Sequence, residues 1–342
     1  MQAPVRPSHW PNNPVLVEIV RGDAVESAHR GAWVLVGRSG QVLDGMGHFE
    51  AGYYARSSIK SLQALPLLET GAAERFGYSD AELALALASH DAETLHTDGV
   101  RGILGRLGLG VEHLRCGPQP PGDPMARAEL AKTGERPCAI HNNCSGKHAG
   151  FLALALHLGV APEQYLERNS AGQRLVREAV LEMTGLDDAQ MGEAVDGCSA
   201  PTFRMPLTAL AGAFARVSNP EGLAAPRRAA CERMLRAVAA HPAHIAGSKK
   251  RICTEIVRAT QGRLFPKLGG EAVYAIGVQG KGCALAIKID DGGYRALHAL
   301  ILGLLRRFEL ASAAELAALE HWREARLCNW AGLEVGRTEV LV

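Results

Sequence analysis

A chain of 342 residues is long enough for one large domain or two modest ones. With 37 basic against 36 acidic side chains, the net charge of +1 gives no electrostatic reason to expect nucleic acid or an anionic membrane as partner. Apolar residues at 47% and charged residues at 21% describe an ordinary soluble globular protein, and eight cysteines are too sparse for a disulfide scaffold.

From Met1 to Pro14 there is no apolar stretch of the kind a secretory signal needs, which predicts a cytoplasmic protein. Residues 15–20 form a β-branched run ended by Arg21-Gly22-Asp23. Further runs at 33–36 and 41–43 stop at glycine turns, and all three read as antiparallel strands. From Ser57 the period becomes helical. Ser79 and Glu82 form a capping box, and Val100, Ile103, Leu104 and Leu107 share one helix face. Residues 116–124, rich in glycine and proline, read as a surface loop. An apolar helix is predicted over 147–158, too short for a membrane span, with further helices near 163–185, 206–217 and 226–240. Strands return at 272–278 and 284–289 around a glycine turn, followed by a helix over 296–308.

Strands at both ends with helices between them predict an α+β fold in a single catalytic domain, 1–342. Its antiparallel sheet would come from 1–56 and 266–342, and a central helical region from 57–265.

Arg56-Ser57-Ser58-Ile59-Lys60 contains Ser-x-x-Lys, a spacing that puts both side chains on one helix face. Serine is a poor nucleophile until a neighbouring base takes its proton, and a lysine can do so only where desolvation or nearby cations hold an amine neutral. The tetrapeptide is common, and a plain helix start with a solvated lysine competes with the catalytic reading. Pro66 limits how far a regular helix can run. Serine–lysine hydrolases of the penicillin-recognising fold carry this motif at a helix start, with Lys-x-Gly on a late strand. Lys267-Leu268-Gly269 stands directly before the first predicted late strand.

A second constellation runs from His141 to Gly150 and includes Cys144, Lys147 and His148; a third, Asp196-Gly197-Cys198-Ser199, lies between helical segments. Two thiolates can occupy two positions on a zinc ion, and Cys144 and Lys147 have Cys-x-x-Cys spacing. Lysine is a rare ligand, because its amine must first lose a proton, and two reduced buried cysteines would explain the pattern as well.

Taken together, these motifs resemble the rhizobial-type, zinc-containing asparaginases. The likeness rests on Arg21-Gly22 with Val25, Glu26, Ser27, His29 and Gly31, on residues 56–66, on residues 143–152 and on residues 196–203. It implies a fold similar to serine β-lactamases and glutaminases, a homodimer, and hydrolysis of L-asparagine to L-aspartate and ammonia. It further implies Ser57, Lys60, Ser89 and Lys267 as catalytic residues, with Lys281 and Lys288 as alternatives for the late lysine. Arg56, His148 and Asp196 would lie near the substrate, and Cys144, Lys147 and Cys198 would hold one zinc ion per subunit. Asp91 and Ala92 depart from the Ser-Gly expected after Ser89-His90, which bears on substrate preference. A glutaminase or other serine–lysine amidohydrolase on the same scaffold, or a non-catalytic amino-acid or zinc-binding protein, are the rival readings.

Overall fold

The computed structural model describes residues 12–342. Eleven strands occur along it: β1 (Val15–Arg21), β2 (Ala24–Gly37), β3 (Val42–Met46), β4 (Tyr53–Tyr54), β5 (Gly192–Val195), β6 (Pro201–Met205), β7 (Leu264–Leu268), β8 (Val273–Val278), β9 (Cys283–Ile289), β10 (Arg326–Cys328) and β11 (Glu334–Val340). Eight of them form one sheet in the order β10-β11-β1-β2-β9-β8-β7, with β3 added on β2. Every pairing in it is antiparallel. The expected union of early and late strands occurs where β2 meets β9, with Trp33 opposite Ile287.

Strands β8 and β9 are buried at every position, because helices cover both faces of the sheet. The helix Leu207–Ser218 lies against β8 and β9 so closely that a Cβ on Gly277 would sit 2.7 Å from the Phe214 carbonyl. The helix Tyr294–Arg307 packs on β1, β9 and β11.

Most predicted helices are present with shifted ends: Thr94–Arg106, Ser145–His157, Ala171–Thr184, Leu207–Ser218 and Ala225–Ala240. Beyond residue 308, where the sequence predicts no element, lie the helix Ala313–Leu319 and strands β10 and β11, and other features also differ from expectation. The early runs belong to longer strands, above all β2 with 14 residues. The segment after the glycine–proline loop forms a helix, Pro124–Thr133. The middle of the chain supplies β5 and β6, which pair with β4 in a separate small sheet. Lys267 lies inside strand β7, not before it.

Buried apolar side chains fall into two clusters. The larger holds the sheet and the helices against it, and the smaller fills the helical part around Leu85, Ile103 and Leu152. Ala55 and Ile59 belong to the first, Cys144 and Cys198 to the second. The seam between the clusters is where the chemistry-bearing motifs meet.

Candidate active site

Ser57 is presented on a strained turn. β4 is anchored through Tyr53, opposite Met205, and the Ala55 N–H donates to the Phe203 carbonyl at 2.9 Å. The next residue, Arg56, has φ of +51°, a left-handed conformation that costs an L-residue on the order of 1–2 kcal/mol. A 3₁₀ turn, Arg56–Ile59, then leads into the short helix Lys60–Gln63. That helix ends at Ala64 and restarts as Leu65–Glu69 with Pro66 in its first turn, the early stop the proline predicted. The end of β7 presses on this turn. A Cβ on Gly269 would lie 2.7 Å from the Ala55 carbonyl and 3.2 Å from the Ser58 nitrogen. The glycine of Lys-x-Gly is thus the residue that lets the two strand ends touch.

Behind Ser57 stand two buried lysines. Lys60 is fully buried and donates to the Ala88 carbonyl and to Ser89 Oγ, the latter at 3.1 Å, rather than to Ser57. Lys267 Nζ reaches the same Ser89 Oγ at 2.9 Å and donates to the Leu268 carbonyl at 3.0 Å. Burial, followed by the charge of Lys60, lowers the Lys267 amine to about 7. Of the alternatives, Lys281 donates to the Glu309 carbonyl at the surface, and Lys288 to the carbonyls of Glu271 and Ile289. Ser89 therefore sits between Lys60 and Lys267 alone.

Ser57, Ser89, Arg56, Asp196, Cys144 and Cys198 all line one cavity of about 520 Å³. Arg56 Nε donates to Asp196 Oδ1 at 2.6 Å, so the two charges are paired across the cavity wall. Against the effect of burial, Lys147 and Arg56 hold the Asp196 carboxyl below its usual range. The Asp196 turn is closed by Ser199, which has φ of +69°, and by Asp196 N–H donating to Ala200 at 2.8 Å. His148 takes a different place from the one expected. It is fully buried in the helix Ser145–His157, its Nδ1 is 2.6 Å from the Tyr165 hydroxyl, and it does not belong to the cavity wall.

The two cysteines and Lys147 converge. Lys147 Nζ donates to Cys198 Sγ at 3.2 Å, and Cys144 Sγ lies 3.0 Å from Asn143 Oδ1. A hydrogen bond shared with Cys198, reinforced by Lys60 and Lys147, holds the Cys144 thiol well below its usual range, while the same pairing pushes Cys198 up. The thiolate charge outweighs burial at Lys147 and raises its amine. Gly146 lets the start of the helix Ser145–His157 pack on the Asp80–Ala86 helix, since a Cβ there would lie 2.3 Å from the Leu85 carbonyl. Two sulfurs on the cavity wall and the buried amine of Lys147 behind them are, once deprotonated, the donor set of a thiophilic divalent ion. Among the described residues no group of three or more His, Cys, Asp or Glu suits a metal, so any ion here depends on the lysine.

Sequence reasoning did not find the rest of the wall. Tyr294, His298 and Trp322 form an aromatic side, with His298 and Trp322 rings 4.7 Å apart, and Arg251 adds a cation. None lies in a short motif, and the helix predicted over 296–308 leaves out Tyr294, where the observed helix begins.

The whole chain was compared with known proteins. A comparison with curated proteins finds no match. Solved structures with some likeness include Mglu in its glutamate form, with 11% identity, a TM-score of 0.43, and coverage of 82% of this chain and 61% of the other. Another is a β-lactamase from Mycobacterium bovis, with 15% identity, a TM-score of 0.44, and coverage of 81% and 94%. The family described as L-asparaginase II matches residues 17–340, nearly the full length and every element that builds the cavity. The chain belongs to the L-asparaginase II family, a family of amidohydrolases.

Proposed function

We propose that the protein hydrolyses L-asparagine to L-aspartate and ammonia, with Ser57 as nucleophile and Lys60, Ser89 and Lys267 as its proton path. The observation that carries this is Ser89 Oγ held between two buried amines directly behind the serine turn. With its pKa near 7, the Lys267 amine is about half neutral at neutral pH and able to take a proton.

The Ser89 hydroxyl passes its proton to the neutral Lys267 amine and takes one from the Lys60 ammonium, which leaves Lys60 neutral. Ser57 Oγ then attacks the side-chain amide carbon while its proton passes to Lys60. Returned along the same path, that proton leaves with ammonia, and a β-aspartyl ester on Ser57 results. Water then cleaves the ester and restores the Ser57 hydroxyl. The Ser57 N–H, in the first turn of a helical segment, is a donor for the developing oxyanion, and one such donor contributes roughly 3–4 kcal/mol.

The substrate's α-carboxylate and ammonium meet Arg56 and Asp196, which exchange their mutual ion pair for two charge-assisted bonds. Cys144, Lys147 and Cys198 would hold the zinc ion. When bound, zinc supplies a fixed positive charge and ties the 144–147 segment to the 196–199 turn. The same reading carries a homodimer in the cytoplasm, which sedimentation and cell fractionation test. Among the described residues no helix is long and apolar enough to cross a membrane.

The deciding experiment is ammonia release from L-asparagine and L-glutamine by the protein and its Ser57→Ala variant. Release from asparagine should fall by at least about 10³-fold in the variant. Full turnover by Ser57→Ala would remove Ser57 from the reaction.

A further inference from the structure

Ser89 is useful only if it stays between the two lysines, and its own side chain cannot ensure this. The segment Ser89–Glu93 is a loop laced to residues 245–251. The Ser89 and Asp91 N–H groups donate to the carbonyls of Ile245 and Ala246, each at 2.9 Å. Ser248 donates from both N–H and Oγ to the Glu93 carboxylate, each at 2.6 Å. Arg251, at the N-cap of the helix Ile252–Ala259, closes the lacing. Its Nη2 donates to the Ser89 carbonyl at 2.8 Å and its Nη1 to the Asp91 carboxylate.

The Asp91 carboxylate is itself fitted tightly. A Cβ on Gly122 would lie 2.2 Å from Oδ1, and one on Gly247 would lie 2.8 Å from Oδ2. Ala92 follows with φ of +60° although almost fully buried, so a strained residue stands directly after the carboxylate. These are the two positions at which the sequence departs from expectation. Arg251 also lines the cavity, with Nη1 and Nη2 both engaged by the Ser89–Asp91 segment.

We propose that Arg251, anchored by Asp91, is the positioning residue that holds Ser89 between Lys60 and Lys267. The inference rests on the Ser57 mechanism above. It adds a second effect, because the guanidinium is one of the cations facing Lys267. Lys60 and Arg251 favour the neutral Lys267 amine, while Cys253 and Cys144 oppose them. The groups facing Asp91 are Arg251, Glu93 and Asp123.

The test is the pH dependence of kcat and KM for L-asparagine in Arg251→Met, Arg251→Lys and Asp91→Asn, run beside Ser57→Ala. Arg251→Met should lower kcat about tenfold or more with KM changed less than about threefold, and should move the acid limb to higher pH. Asp91→Asn should also lower kcat, but it unmasks the guanidinium charge and so moves the acid limb to lower pH. Arg251→Lys should restore the limb without restoring kcat, because one ammonium cannot bridge both acceptors. Limb shifts of the same sign in Arg251→Met and Asp91→Asn, or a raised KM with kcat intact, overturn the proposal. If Arg251→Met does not fold, the opposed behaviour of Asp91→Asn and Arg251→Lys decides. A dead Ser57→Ala beside fully active Arg251 and Asp91 variants sinks this inference alone, whereas an active Ser57→Ala sinks the mechanism beneath it.

Discussion

A lysine buried beside another lysine is an expensive arrangement, and Lys267 shows what it achieves. Its amine is lowered from 10.5 to about 7, with burial first and Lys60 second among the causes. Below pH 7 the amine is protonated and cannot accept, so kcat/KM for asparagine should rise with pH and level off above about 7. A pH–rate profile checks this. Stability follows with a defined sign. Between about 7 and 10.5 the unfolded chain holds a proton that the folded chain does not, so stability grows with pH across that window and gains nothing further below it. Lys267→Met should therefore abolish turnover yet raise the thermal midpoint at pH 7 by a few degrees, read by calorimetry. An unchanged or lower midpoint would mean that the bonds to Ser89 and Leu268 outweigh the cost of the buried amine. At this scale spacing singled out Ser57 with Lys60, while Ser89 came from the family resemblance and the late lysine stayed open among Lys267, Lys281 and Lys288. Spacing was uninformative about direction. Lys147 and His148 are neighbours in one motif, but successive helical side chains diverge by about 100°. One reaches Cys198 while the other turns to Tyr165.

Elements are positioned here by missing side chains as much as by present ones. Gly269 lets β7 touch the Ser57 turn, and Gly269→Ala would force a Cβ to within 2.7 Å of a backbone oxygen. Backbone has no flexible end to yield, so the turn must move relative to Lys267. We expect kcat to fall by about 10²-fold, because displacements near 1 Å have that effect, with a stability loss of roughly 1–3 kcal/mol. Steady-state kinetics and chemical denaturation separate the two. Legibility of elements followed burial. The apolar second half of β2 announced itself, whereas its first half, Ala24–Arg30, is exposed or half-buried and gave no β-branched run. The helix Pro124–Thr133 buries no residue, so it has no apolar stripe for periodicity to detect. β5 and β6 have four and five residues, too short for alternation to stand out from the flanking turns.

At the level of the whole molecule, the cavity lies between two apolar clusters that share few residues of the motifs themselves. Ser57 comes from the sheet side and the thiols from the helical side. A zinc ion on Cys144, Lys147 and Cys198 would brace one side of that seam. Purified protein should then carry close to one equivalent of zinc, and Cys198→Ser should lose it and unfold at a lower temperature. Elemental analysis and calorimetry read the two outcomes, and metal-free wild-type protein of undiminished stability would count against the site. The composition and the two-ended strand pattern conveyed the class of fold. How the clusters meet depends on contacts between distant segments, such as Ser89 with Ile245, which no local pattern records.

The pairing of β1 with β11, Val17 opposite Val340, has a consequence for how the protein comes into being. During synthesis β1 can fold back on β2 as soon as both are made, but its other edge stays unpaired until β11 follows. Between the synthesis of β2 and that of β11 the nascent chain thus offers an open strand edge to any other extended segment nearby. Ribosome stalling or nonsense truncation shortly before β11 would fix the chain in that state, with the site residues already made. Such products should be removed as aggregates or by proteases, so the pairing of β11 with β1 closes off the edge that invites them.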